Sequence, residues 1–286
     1  LITNKILELT PNIPIVSELN FASNHLSCPI LAVTGTNGKS STVWYAKQMA
    51  EQLGLNPFLG GNFGRALSEM VGDIREQRVS YGLAIVEVSS YQLEWSHDFH
   101  ANASTVLNLT SDHLARHETM EEYRRCKMKI FDHQTEHDWA VVPIQSKALH
   151  PSTPAALRFF GSTPFDSSVY GCFTDDTQLH WRSPNNIWSL DRTRIPLLGL
   201  HNHHNIAAAL LLLQGVTSVD VTPELCLHLQ PLEHRLEPLL HNGRLWINDS
   251  KATNIEATQA ALSSMTTPVI LLLGGAGKKR AQYTEL

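Results

Sequence analysis

The run Leu31-Ala-Val-Thr-Gly-Thr-Asn-Gly-Lys39-Ser40-Ser41-Thr42 carries the residue types that can hold phosphate. An apolar stretch, Ile30 to Val33, stops at a Gly-rich turn, and Lys39-Ser40 then opens a helix-like segment, Ser40 to Leu53. Glycines let the backbone fold closely around an anion, and a helix start aims free N–H groups and partial positive charge at it. Lys39 can neutralise the β- and γ-phosphates of a nucleotide, and the Ser40 hydroxyl can reach Mg²⁺. Gly35, Thr36, Asn37, Gly38, Lys39, Ser40 and Ser41 are therefore expected to bind ATP. The full Walker pattern would have glycine at position 33, where Val33 stands, so the motif is a shortened variant. An ordinary Gly-containing strand–helix turn is the alternative, but few such turns carry Lys-Ser at the helix start.

Two further strand ends are acidic. Leu83–Val88 closes in Glu87-Val88-Ser89-Ser90-Tyr91-Gln92-Leu93, and the next strand closes in Asn108-Leu109-Thr110-Ser111-Asp112-His113-Leu114. A carboxylate at the carboxyl end of an apolar strand sits where open α/β sheets bind ligands. Buried without a partner it costs several kcal/mol, so a cation is the simplest companion for Glu87. In helix 119–132, Met120, Tyr123, Lys127, Ile130 and Phe131 share one stripe about 100° wide. Lys127 thus lies on the core-facing side. It either snorkels to the rim or remains a desolvated amine available for chemistry, because burial favours the neutral form.

Three polar clusters follow. Gly199-Leu200-His201-Asn202-His203-His204-Asn205 opens a helix with Asn202 and Asn205 on one face, where amides can read a base edge. Capping is an alternative for Asn202 but leaves Asn205 unexplained. His234-Arg235-Leu236-Glu237 places at a junction an Arg that can clamp phosphate. Asn248-Asp249-Ser250-Lys251-Ala252-Thr253-Asn254 is too long a polar run for a simple turn.

The elements that must position these residues alternate. Strand Ile30–Thr34, helix 40–53, strand Leu83–Val88, strand Thr105–Leu109, helix 119–132 and strand Trp139–Pro143 predict a parallel sheet covered by helices. Leu157–Phe160, Val169–Phe173, Gln178–Trp181 and Ile187–Leu190 read as a small antiparallel sheet, followed by helix Asn202–Gln214. After Pro231 the pattern restarts with strand Arg244–Asn248, helix Asn254–Ser263 and strand Val269–Leu273. The expected class is α/β: a central parallel-sheet, P-loop-type ATP-binding domain with a small antiparallel sheet, then a truncated Rossmann-like α/β domain.

The bulk properties exclude other classes. The 286 residues, 42% of them hydrophobic and 17% charged, describe a globular chain. A net charge of −5 advertises no polyanion-binding surface, so nucleic acid is not expected as a partner. Four scattered cysteines without a CxxC pair fit a reducing compartment. No apolar run approaches the ~20 residues that span a bilayer, so no membrane association is expected.

In this order the motifs resemble the Mur ligase family, the ATP-dependent amide ligases of peptidoglycan precursor synthesis. The Gly-Thr-x-Gly-Lys-Ser/Thr loop, the Glu strand end, the Asp-His strand end, the Gly-x-His-Asn-x-x-Asn helix start and the His-Arg junction are all present. Asp249-Ser-Lys-Ala-Thr-Asn254 is similar to the branch that adds D-glutamate to UDP-N-acetylmuramoyl-L-alanine. Sister ligases and folylpolyglutamate synthase carry a His-centred motif there. The resemblance implies that Lys39 and Ser40 hold ATP phosphates and Mg²⁺. It gives a first metal site at Ser40 and Glu87, and a second at His113 and a Lys127 carbamylated by CO₂, with Lys39, His113 and Lys127 as the catalytic set. Asn62, Ser89 and Gln92 are implied to touch the muramoyl-alanine end. Asn205, Arg235 and Asp249 contact the nucleotide, and Lys251, Thr253 and Lys278 lie near D-glutamate. A cytoplasmic monomer is implied.

Departures accompany the resemblance. The family often has Asp-His-Leu-Asp-Arg where this chain has Ala115 in place of the second acid. The uridine-diphosphate-binding domain is represented at most by residues 1–17. Residues 18–230 are expected to form the central domain, and residues 231–286 part of the C-terminal ligase domain. The chain is therefore expected to be a fragment that does not ligate D-glutamate in isolation. A non-catalytic nucleotide-binding fragment and a folylpolyglutamate-type ligase are the alternatives.

Overall fold

A computed structural model describes residue 13 and residues 15–110, 117–162 and 168–275. Nine strands form one sheet: β1 (Ile30–Thr34), β2 (Pro57–Gly61), β3 (Leu83–Glu87), β4 (Ala103–Val106), β5 (Trp139–Pro143), β6 (Ala156–Gly161), β7 (Gly171–Thr174), β8 (Gln178–Arg182) and β9 (Ile187–Asp191). Their spatial order is β2-β3-β1-β4-β5-β6-β7-β8-β9. Neighbours from β2 through β7 run parallel, and β8 and β9 continue antiparallel. The mixed α/β class with a mostly parallel sheet is as the sequence predicts.

Alternation along β1 sorts the two cores. Leu31 and Val33 pack with Val43, Tyr45 and Met49 of α2 (Lys39–Gln52). The same cluster takes in α6 (Leu200–Val216). Ile30 and Ala32 face the opposite way, with Leu19 of α1 (Glu18–Ser23), Leu67 and Met70 of α3 (Leu67–Arg75), and Cys126 of α5 (Met120–Met128). α6 is apolar on every side from Ile206 to Leu213 and is correspondingly buried throughout that stretch. The short α4 (Ser90–Glu94) follows β3. Beyond residue 231, a hairpin of β10 (Glu237–His241) and β11 (Arg244–Asn248) precedes α7 (Ile255–Leu262).

Several expectations shift. The strand expected at Thr105–Leu109 lies at Ala103–Val106, because small side chains suit it there. A Cβ on Gly215 of α6 would stand 3.1 Å from Ala103 Cβ, so larger residues would not fit. Leu157–Phe160 belongs to β6, which pairs parallel with β5 and β7; within the nine-stranded sheet the antiparallel pairs are β7–β8 and β8–β9. Val269–Leu273 joins no ladder and is exposed; the β10–β11 hairpin pairs only with itself, leaving that run without a partner strand among the described residues. β2 escapes sequence reading because Pro57, Gly60 and Gly61 look like a turn. At a sheet edge a first-position proline forfeits no needed bond. Gly61 is required: its φ is +94°, and a Cβ would lie 2.3 Å from Glu87 O.

Candidate functional site

The turn after β1 is shaped by two glycines and a distant asparagine. Gly38 adopts φ +86° and caps α2 without a side chain, leaving the first-turn N–H groups toward the cavity. Asn108, just past β4, accepts from Thr36 N at 3.1 Å and Asn37 N at 2.9 Å, and its Nδ2 donates to Asn37 O at 3.0 Å. Lys39 Nζ donates to Gly35 O at 3.0 Å and Thr36 O at 2.9 Å, so its charge lies against the loop.

β1 and β3 are in register with Val33 opposite Glu87, which sets that carboxylate beside the loop. Glu87 is 2% exposed. Its Oε1 accepts from Asn62 Nδ2 at 2.7 Å, and its Oε2 has no hydrogen-bond partner among the described residues. A buried, orphaned carboxylate oxygen is costly, and a hard cation with oxygen ligands would satisfy it. Among the described residues no three His, Cys, Asp or Glu side chains converge. A cation here would therefore draw on Glu87, the Ser40 hydroxyl and substrate oxygens, a set suited to Mg²⁺.

Lys127 does not snorkel. It is 2% exposed, and its Nζ donates to Gly35 O at 2.9 Å and Thr34 Oγ1 at 3.2 Å, beneath the loop. The ammonium also lies 4.8 Å from the Tyr123 ring centroid. His113 and Lys278 lie outside the described residues, as does Ala115.

The opposite wall comes from α6 and the segment after residue 231. Tyr45 donates to Asn202 Oδ1 at 3.0 Å, and Asn202 Nδ2 donates to Leu198 O at 2.7 Å, fixing the amide next to Asn205. Arg235 Nη2 donates to Ser40 Oγ at 3.4 Å. Its neighbours His234 and Leu236 hold φ of 64° and 44°, a left-handed pair that turns the chain sharply around Arg235. Asp249 Oδ1 accepts from Leu236 N at 3.1 Å. Burial raises the Asp249 carboxyl above its ordinary range, opposed by that N–H and by Arg235. Burial pushes the imidazoles of His203 and His204 down to about 4, with the nearby Arg192 and His201 adding to it.

These walls enclose a cavity of about 520 Å³, within the range of small-ligand sites. Thr36, Asn37, Gly38, Lys39, Ser40, Ser41, Asn62, Glu87, Asn205, Arg235, Asp249, Lys251 and Thr253 all line it. Ser89 and Gln92 do not; they form a reciprocal cap at the start of α4. Residues that sequence reading did not single out also contribute: Asn108 beneath the loop, Pro143 and Phe160 at one end, and Asn254 on the far side. Asn254 stood in the polar run, where its type and position were the available signal. Pro143 and Phe160 gave none, because strand-end apolar residues look like core.

The profile of the Mur ligase middle domain matches residues 33–213. The UDP-N-acetylmuramoylalanine--D-glutamate ligase of Aliivibrio fischeri (strain MJ11) is 34% identical over 278 residues, covering 96% of this chain and 60% of the relative. The enzyme of that name from Bacteroides fragilis (strain YCH46) is 33% identical over 282 residues, 96% of this chain and 61% of its own. The chain thus spans about 60% of the length of these curated relatives. Among solved structures, MurF ligase from Thermotoga maritima in complex with ADP superposes with a TM-score of 0.65 at 18% identity, over 86% of this chain and 58% of that one. A bifunctional folylpolyglutamate synthase/dihydrofolate synthase with Mn, AMPPNP and L-glutamate bound gives 0.60 at 18% identity, over 88% of this chain and 71% of that one. With the middle-domain profile running from the phosphate-type loop to the end of the buried helix, the chain belongs to the Mur ligase family.

Proposed function

We propose that this chain carries the nucleotide-holding and acyl-activating site of an ATP-dependent amide ligase that joins D-glutamate to UDP-N-acetylmuramoyl-L-alanine. The observation that carries the reading is the single cavity in which a Gly-Thr-Asn-Gly-Lys loop, an orphaned Glu87 oxygen and Arg235 converge. The D-glutamate branch is supported by the identity to relatives of that name and by Lys251 and Thr253 on the cavity wall.

In this reading the carboxylate of the L-alanine end attacks the γ-phosphorus of ATP and ADP leaves. The D-glutamate amine then attacks the acyl carbon, and phosphate departs. The chain supplies position and charge rather than covalent help. Lys39 and the N–H groups of α2 face the transferred phosphoryl from one side, and Arg235 faces it from the other. Asn205 and Asp249 hold the nucleoside, and Asn62 steers Glu87. Glu87 and Ser40 would hold the first Mg²⁺, which supplies charge neutralisation for the phosphates. Lys127, carbamylated by CO₂, and His113 would hold the second. Ser89 and Gln92 are assigned to the muramoyl-alanine end, where release of their mutual cap would free them, and Lys278 to D-glutamate. The site serves small-molecule substrates in the cytoplasm, with the chain acting as a monomer.

The test is ATP-dependent phosphate release by the whole gene product. Release that requires both UDP-N-acetylmuramoyl-L-alanine and D-glutamate is expected. Release with a folate acceptor and L-glutamate instead would move the chain to the folylpolyglutamate type, and nucleotide binding with no release would leave a non-catalytic module.

A further inference from the structure

We propose that Asn254 is a positioning residue, an amide latch that docks the segment after residue 231 onto the phosphate loop through Asn37. Its side chain does two jobs with two different atoms. Oδ1 accepts from Ala257 N at 2.8 Å and caps α7, while Nδ2 donates to Asn37 Oδ1 at 3.0 Å. Asn37 is held from its other side, because Asn108 bonds both its backbone N and its backbone O. The latch therefore ties α7 to a residue that the end of β4 has already fixed.

One hydrogen bond matters here because no apolar core fixes this segment among the described residues. α7 buries none of its residues, and β10 and β11 carry no fully buried position. Upstream, α2 grips the linker backbone at Gln230 through Trp44 Nε1 at 3.1 Å and through Gln48, which both donates to Gln230 O and accepts from Gln230 N. The segment is thus anchored at its root, and over the cavity Arg235 bonds Ser40 and Asn254 bonds Asn37. Thr253 directly precedes Asn254, Lys251 lies three residues before it, and both line the cavity, so the latch fixes their distance from the loop. Assigning those two residues to the incoming amine rests on the proposed function; the latch itself does not.

Serine is about as good a helix cap as asparagine but carries no amide donor, so Asn254→Ser removes the latch and keeps the cap. Hydrogen exchange of the α7 amides in the whole chain is expected to quicken roughly two- to tenfold in Asn254→Ser, the worth of one neutral hydrogen bond. Asn37→Ala is expected to give a similar factor, and the double variant no more than either single one, since both remove one bond. Wild-type exchange in Asn254→Ser, or factors that multiply in the double variant, overturns the latch. Mg·ADP affinity is measured on the same proteins and is expected to fall by a similar factor in Asn254→Ser. A wild-type chain that binds no Mg·ADP contradicts the proposed function and leaves the exchange cycle to decide the latch.

Discussion

Replacing Gly38 by alanine tests whether the loop geometry is as tightly determined as the structure indicates. Gly38 sits at φ +86°, where an L-residue costs ~1 kcal/mol or somewhat more. The added Cβ would also meet Asn205 Oδ1 at 2.5 Å, Cγ at 3.2 Å and Nδ2 at 3.3 Å. Rotating that amide brings no relief, because each of its atoms is already close. Asn205 cannot withdraw either, since it is buried beside Asn202, which Tyr45 and Leu198 O hold in place. Forcing an extra methyl into such a place costs a further ~1–3 kcal/mol, for a total of about 2–4 kcal/mol. Gly54 supplies the control: its φ is +74°, but nothing lies within 4 Å of its Cβ position. Gly54→Ala is expected to lose only the backbone share, about 1 kcal/mol, and to bind nucleotide as the wild type does. Denaturant unfolding and calorimetric titration with Mg·ADP on both variants separate the two costs. Equal stability of the variants, or wild-type nucleotide affinity in Gly38→Ala, would refute the packing argument.

Other consequences follow from the same geometry. Glu87→Gln keeps an acceptor for Asn62 but removes the charge from the orphaned oxygen, so Mg²⁺-dependent enhancement of ADP affinity should fall at least tenfold while metal-free affinity stays near wild type. An unchanged Mg²⁺ dependence would place the cation elsewhere. Lys127→Ala should abolish ligation by the whole gene product, and a short carboxylic acid in the buffer should partly restore it; full activity of the variant would remove the carbamate from the account. His203 and His204 titrate near 4 in the folded chain against 6.5 ordinarily. The unfolded chain therefore binds more protons between those values, so folding stability is full above pH 6.5 and is lost as the pH falls toward 4. The loss is on the order of 3 kcal/mol for each imidazole. Urea unfolding across this window should show that slope, and the double variant His203→Gln, His204→Gln should flatten it.

The loop and its flanking elements were legible because local sequence decides them. Apolar β1, two glycines and a helix start follow one another without long-range help, and Lys39 and Ser40 fall where that order puts them. Glu87 was legible for a related reason, as a carboxylate ending an apolar strand. What holds these residues was not. Asn108 bonds to the loop across 71 residues of sequence, and no periodicity reports such a pairing. Lys127 lay on a core-facing stripe, but periodicity could not say whether its amine turned outward; the packing of α5 under Gly35 decides that. β2 and β10 were hidden by prolines that only an edge position tolerates. Val269–Leu273 shows the opposite failure: a strand-like composition cannot form a strand without a neighbour to receive its hydrogen bonds.

The central claim is that the cavity beside Lys39 and Glu87 holds a magnesium nucleotide. Calorimetric titration of this chain with a non-hydrolysable ATP analogue and Mg²⁺, repeated with Lys39→Ala, tests it directly. The account predicts saturable one-to-one binding in the wild type and at least tenfold weaker binding in the variant, which still unfolds cooperatively. Equal affinity in the two proteins, or no binding in the wild type, would contradict it.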